Sequence, residues 1–179
     1  MVKRRKNGNL FLLIITGVML LSGLFFVTDF PASFMLETMI FAGLLLVVGI
    51  AYLAFYSSVS SAATGDWPII EGLTNVLLAI VLFMSMSTSQ TDMVLYILSI
   101  WALTGAVSRF ICALKLNKNA KKQAFFNAGA CLLSALLMFI MTIATRLVPQ
   151  IVAGAGIIIY SFGSFVSPKK VFAAKGKAA

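Results

Sequence analysis

Glu71 and Arg109 lie inside apolar stretches of this chain and are the side chains best placed to do chemistry. A carboxylate and a guanidinium in such surroundings either pair with each other or form a site for an anion, a lipid headgroup or protons. Asn75 follows Glu71 by four residues, so the two share a face on a helix. Asn127 falls at the matching depth of a later apolar run. The expectation is one polar layer made by Glu71, Asn75, Arg109 and Asn127. Glu37 lies about a turn into another run, near the opposite surface, and reads as an interfacial residue. Asp66 and Asp92 stand where they could cap the helices that follow them, and Asp29 reads as a connection residue.

The missing residue types exclude more than the present ones suggest. Histidine is absent, which removes the commonest metal ligand and the usual proton shuttle near neutral pH. Cys112 and Cys131 both fall within apolar runs and read as small buried side chains, with no CxxC pair and no disulfide framework. No GxSxG, Walker A or paired catalytic carboxylates occur, and the glycines of AGAGIII sit within an apolar run rather than after a strand. No catalytic, cofactor-binding or metal-ligating residue is expected, and the chain reads as a non-enzyme.

The elements that must hold these side chains are membrane helices. Of 179 residues, 61% are hydrophobic and 11% charged, far from the roughly 25% charged of a soluble domain. Six apolar runs, at about 9–27, 33–55, 67–86, 92–114, 123–145 and 148–167, each approach the ~20 residues that cross a bilayer. An isolated strand would leave its backbone unpaired in lipid, so each run is expected to be a helix. The first run is longer than a usual signal-peptide core and TDFPAS offers no small-x-small cleavage site, so it reads as retained. The fold class expected is an all-α membrane protein, a single transmembrane domain spanning 1–179.

Basic residues orient it. Twelve of the fourteen Lys and Arg fall in three segments, around Lys3–Lys6, Lys115–Lys122 and Lys169–Lys177. Six spans put all three segments on one side, which the positive-inside rule makes the cytoplasm. Both termini are therefore expected in the cytoplasm, with the polar layer just inside that interface. The formal charge of +9 lies almost entirely between or beyond the apolar runs, where anionic headgroups meet it, so nucleic acid is not an expected partner.

Landmarks also recur. Gly17, Gly72 and Asn127 are spaced by 55 residues, Gly49 and Gly105 by 56, and Phe110 and Phe165 by 55. This suggests three repeated antiparallel hairpins, related by an axis along the membrane normal. Ala102 and Ala106, Ala130 and Ser134, and Gly156 and Gly163 are small residues that would let helices approach closely.

The stretch from Trp67 to Leu116 resembles the HdeD-like family of bacterial membrane proteins. The resemblance rests on Trp67 and Gly72, a polar outer turn, and the series Trp101, Gly105 and Arg109. The turn STSQT lacks the proline the pattern leads one to expect, and Gly156 stands where Trp101 would repeat. The resemblance implies a multi-pass protein of the bacterial plasma (inner) membrane. It also implies an association with acid resistance or envelope stress, and it supplies no mechanism and no catalytic residues.

Three functional readings follow. The first is a non-enzymatic HdeD-like membrane protein that helps the envelope tolerate stress. The second is a small transporter or channel with the Glu71–Arg109 layer at its cytoplasmic gate. The third is a membrane scaffold or lipid-interacting subunit. Partners expected are the bilayer and its anionic headgroups, and a second copy or another membrane protein. A coupled proton cycle is not expected, because the chain has no histidine and only two acids well inside its spans, Glu37 and Glu71, which lie near opposite surfaces.

Overall fold

A computed structural model describes residues 2–28, 34–58, 67–85, 91–114, 118–144 and 149–165. Six helices account for them: α1 Val2–Val27, α2 Phe34–Ser58, α3 Trp67–Ser85, α4 Thr91–Leu114, α5 Lys118–Ala144 and α6 Pro149–Phe165. No strand occurs among the described residues. The expected connections TDFPAS, SSVSSAATGD and STSQT, with Asp29, Asp66, Lys115, Arg146 and the basic tail, lie outside them, apart from Thr28, Ser57, Ser58 and Thr91.

Helix ends differ from the expected ones in an instructive way. α1 starts at Val2 and α5 at Lys118, several residues before their apolar runs. Lys, Arg and Ala are good helix formers, so the backbone stays helical where the side chains turn polar. α4 begins at Thr91, which puts Asp92 in its first turn rather than at its cap. There its charge still favours the positive end of the helix dipole.

Three helices are long and apolar enough to cross a membrane: 34–54 in α2, 92–114 in α4 and 124–143 in α5, with mean hydropathies of 2.3, 1.8 and 2.0. The apolar parts of α1, α3 and α6, at 13–27, 69–85 and 149–163, are shorter. The surface agrees with this character. Val47 and Met84 are 64% and 70% exposed, and every described helix shows large aliphatic or aromatic side chains outward. Glu71, Asn75, Arg109, Asn127 and Ser134 are buried instead. An apolar exterior around a polar-bearing interior suits a molecule whose solvent is lipid.

The helices form a ring in chain order. The most extensive packing joins α2 to α3, α4 to α5 and α6 back to α1, while α1 and α2 touch sparsely. Neighbours run antiparallel. Gly49 and Leu53 of α2 meet Val76 and Gly72 of α3, and Gly23 and Val27 of α1 meet Ile157 and Gly154 of α6. The start of α1 and the end of α6 therefore share one end of the bundle.

Close backbone approach explains which glycines matter. A Cβ on Gly49 would sit 2.8 Å from the Gly72 carbonyl oxygen, and one on Gly154 would sit 2.8 Å from that of Gly23. Without hydrophobic drive between helices in lipid, such contacts are what hold a bundle together. Between α5 and α6 the small residues interlock: the Ser134 hydroxyl donates to the Gly156 carbonyl at 2.7 Å, and Gly163 faces Ala130. The 55-residue spacing does not carry over into equal surroundings. Gly17 has open space where Gly72 has backbone, and Gly105 faces the Tyr160 ring where Gly49 faces α3.

Candidate functional site

Arg109 is the centre of the buried layer. α4 carries it about a turn and a half from its end, and α3 carries Glu71 about a turn from its start, so antiparallel packing brings them to one depth. Arg109 Nε donates to Glu71 Oε1 at 2.7 Å, and Nη2 donates to Oε2 at 3.3 Å. Nη2 also donates to the Tyr160 hydroxyl of α6 at 3.1 Å, and Nη1 donates to Cys131 Sγ of α5 at 2.7 Å. The guanidinium further lies 4.6 Å from the centroid of the Tyr160 ring. Four of its five N–H donors are thereby used, and one side chain on α4 binds α3, α5 and α6 at once.

The fork of arginine suits this task. Its donors lie in one plane and match the two oxygens of a carboxylate, and it is less strongly hydrated than an ammonium. Burying either charge alone costs several kcal/mol, roughly, whereas the pair with its added hydrogen bonds offsets much of that cost. Glu71 and Arg109 are 4% and 9% exposed, so the pair is closed off from the surface.

A second polar contact lies about one turn deeper. Trp101 Nε1 donates to Asn75 Oδ1 at 2.8 Å. The Trp101 ring is 4.1 Å from that of Tyr160, and the Phe41 ring packs edge-on with it at 5.7 Å. Gly105 makes room for this stack, since a Cβ there would lie 2.7 Å from the Tyr160 hydroxyl. Beside the pair is a small cavity lined in part by Thr16, Tyr52, Glu71, Asn75, Arg109 and Tyr160. Its volume of about 10 Å³ is room for about one water molecule.

Of the four residues expected in the layer, Glu71 and Arg109 bond directly and Asn75 lies beside them, bound to Trp101. Asn127 is buried, but its backbone sits against Gly163 on the α5–α6 seam. Cys131, one turn along the same face of α5, accepts a hydrogen bond from Arg109. Cys131, Tyr160 and Trp101 were not expected in the layer. An aromatic hydroxyl in the last run and a thiol four residues from Asn127 were the available signals, because each is a polar atom on an inward face.

Among the described residues no cluster of three or more His, Cys, Asp or Glu could hold a metal ion. What the arrangement can do chemically is limited. The carboxylate has a fixed partner, the thiol accepts from a guanidinium, and the cavity beside them is about 10 Å³. No protein-family model, no curated protein and no solved structure matches the chain.

Proposed function

We propose that this chain is a non-enzymatic, multi-pass protein of the bacterial plasma membrane, similar to the HdeD-like family. It spans the bilayer six times with both termini in the cytoplasm, as three hairpins α1–α2, α3–α4 and α5–α6. Two observations support that arrangement. The tightest seams, α2–α3, α4–α5 and α6–α1, are those between successive hairpins, and the start of α1 and the end of α6 lie at one end of the ring. The shorter apolar parts of α1, α3 and α6 cover about 22–26 Å at 1.5 Å per residue, within reach of a bilayer that thins locally around them.

In this reading the Glu71–Arg109 layer is a clasp and not a gate. The observation that carries it is the fourfold engagement of one buried guanidinium beside a cavity of about 10 Å³. A gate needs a water path, and a proton relay needs titratable groups spaced through the membrane. Glu37 and Leu53 are sixteen residues apart on α2, and Leu53 is level with Gly72, so Glu37 and Glu71 stand about 24 Å apart along the helix axis. The rigid bundle then presents a basic cytoplasmic face to anionic headgroups, and any contribution to acid or envelope stress tolerance is indirect, through membrane organisation or a partner. The test is purified protein in liposomes loaded with a pH-sensitive dye. The expected result is proton permeability equal to that of empty liposomes. A protein-dependent flux abolished by Glu71→Gln would contradict the clasp.

A further inference from the structure

The cavity beside the clasp touches five of the six helices. Thr16 of α1 and Tyr52 of α2 line it together with Glu71 and Asn75 of α3, Arg109 of α4 and Tyr160 of α6. Every residue that lines it is buried, so the space lies inside the bundle. The clasp leaves hydrogen-bond donors over at this wall. Asn75 Oδ1 accepts from Trp101 Nε1, and no described residue accepts a hydrogen bond from Asn75 Nδ2. Asn75 is only 3% exposed, and a buried amide without an acceptor lowers stability. One N–H of Arg109 Nη1 also stands beyond the four contacts that hold the guanidinium. Trp101, which holds the oxygen edge of the Asn75 carboxamide, is not among the residues that line the cavity.

We propose that this cavity binds one water molecule, which accepts from Asn75 Nδ2 and extends the clasp to Thr16 and Tyr52, so that α1 and α2 join the other four helices. Size and charge together select this occupant. A volume of about 10 Å³ admits one water and nothing larger. Glu71 and Arg109 form an ion pair, so a cation meets the guanidinium and an anion meets the carboxylate. A neutral dipole is favoured by both. Water also donates and accepts at once, and the wall offers both kinds of partner: carboxylate oxygens on Glu71, amide N–H groups on Asn75, and the hydroxyl-bearing Thr16 and Tyr52. The α1–α2 seam is the ring's most sparsely packed, and a bridging water ties it where direct packing does not. The proposal rests on the clasp reading and deepens it, since one enclosed water is not a path through the layer.

The test is a crystal structure of the full chain grown from a lipid mesophase, beside that of Val48→Ile. Val48 lines the cavity from α2, and isoleucine adds a methylene there while leaving every polar group in place. The expected result is ordered density for one water within hydrogen-bond distance of Asn75 Nδ2 in the parent protein, and none in the variant. Should Val48→Ile fail to fold, Val48→Leu adds the same methylene without the β-branch and must lose the density too. Absence of the water from the parent, with the Glu71–Arg109 contacts in place, would overturn the proposal and leave the clasp standing. Density that persists in the filled variant would overturn it as well. A file of waters reaching the surface, or a broken Glu71–Arg109 contact, would contradict the clasp and the bound water together.

Discussion

Arg109 and Glu71 meet through two hydrogen bonds from one guanidinium, 2.7 Å from Nε to Oε1 and 3.3 Å from Nη2 to Oε2. The contact joins α4 to α3, and the remaining donors carry it on to Cys131 of α5 and Tyr160 of α6.

Breaking this contact from one side should be costly. Glu71→Leu and Arg109→Leu each strand a buried charge, and each is expected to lower stability by about 3–5 kcal/mol. The double variant should lose less than the sum of the two, because neither charge is then left alone. Exchanging the pair, Glu71→Arg with Arg109→Glu, should restore part of the loss. Thermal unfolding of these four variants and the parent protein, followed by helical circular dichroism, measures all of this. Strictly additive losses would mean that the two side chains are not coupled.

Trp101→Phe keeps most of the stack on Tyr160 but leaves Asn75 Oδ1 without its indole donor. The expected cost is about 1–3 kcal/mol, the usual penalty for a buried acceptor that loses its partner. Adding Asn75→Leu to Trp101→Phe removes the orphaned amide and should recover part of that cost, as read by the same unfolding curves.

Glycines that look alike in the chain should behave differently. Gly49→Ala places a methyl group 2.8 Å from the Gly72 carbonyl oxygen, and overpacking of this kind costs about 1–3 kcal/mol. Gly17→Ala meets nothing within 4 Å and should be neutral or stabilising by up to about 1 kcal/mol, since alanine is the better helix former. A comparison of midpoints between these two variants checks the close α2–α3 approach.

Much of this architecture is legible from patterning alone. The apolar runs gave the helices, and opposite chain directions put Glu71 of α3 and Arg109 of α4 at one depth. The partners supplied by α5 and α6 were harder to read. Depth along a helix axis is set by packing, and one turn of α5 separates Asn127 from Cys131, which binds Arg109. The hydrophobic pattern offered no correction, because these helices are apolar nearly all round and lack a strong polar stripe. Tyr160 was hidden for a related reason: its ring belongs among apolar residues, and only its hydroxyl needs a partner. The cavity beside Asn75 is a matter of how far its helices stand apart, which no local pattern encodes.

The proposed topology makes its own forecast. Reporter fusions at Lys118 and after the final residue should read cytoplasmic, and fusions at Ala32, Ser89 and Leu147 should read external. An external signal from the C-terminal fusion would mean an odd number of spans.

The central claim is that the Glu71–Arg109 layer is a closed clasp, and Cys131 inside it is a built-in probe. Its side chain is fully buried and accepts a hydrogen bond from Arg109, whereas Cys112 is partly exposed. In a Cys112→Ala protein, a charged, water-borne methanethiosulfonate reagent should leave Cys131 unmodified in native membranes, as counted by intact mass. The same thiol should react fully once the protein is unfolded in denaturant. Modification of Cys131 in the native membrane, suppressed from one side only, would reveal a water path through the layer and contradict the clasp.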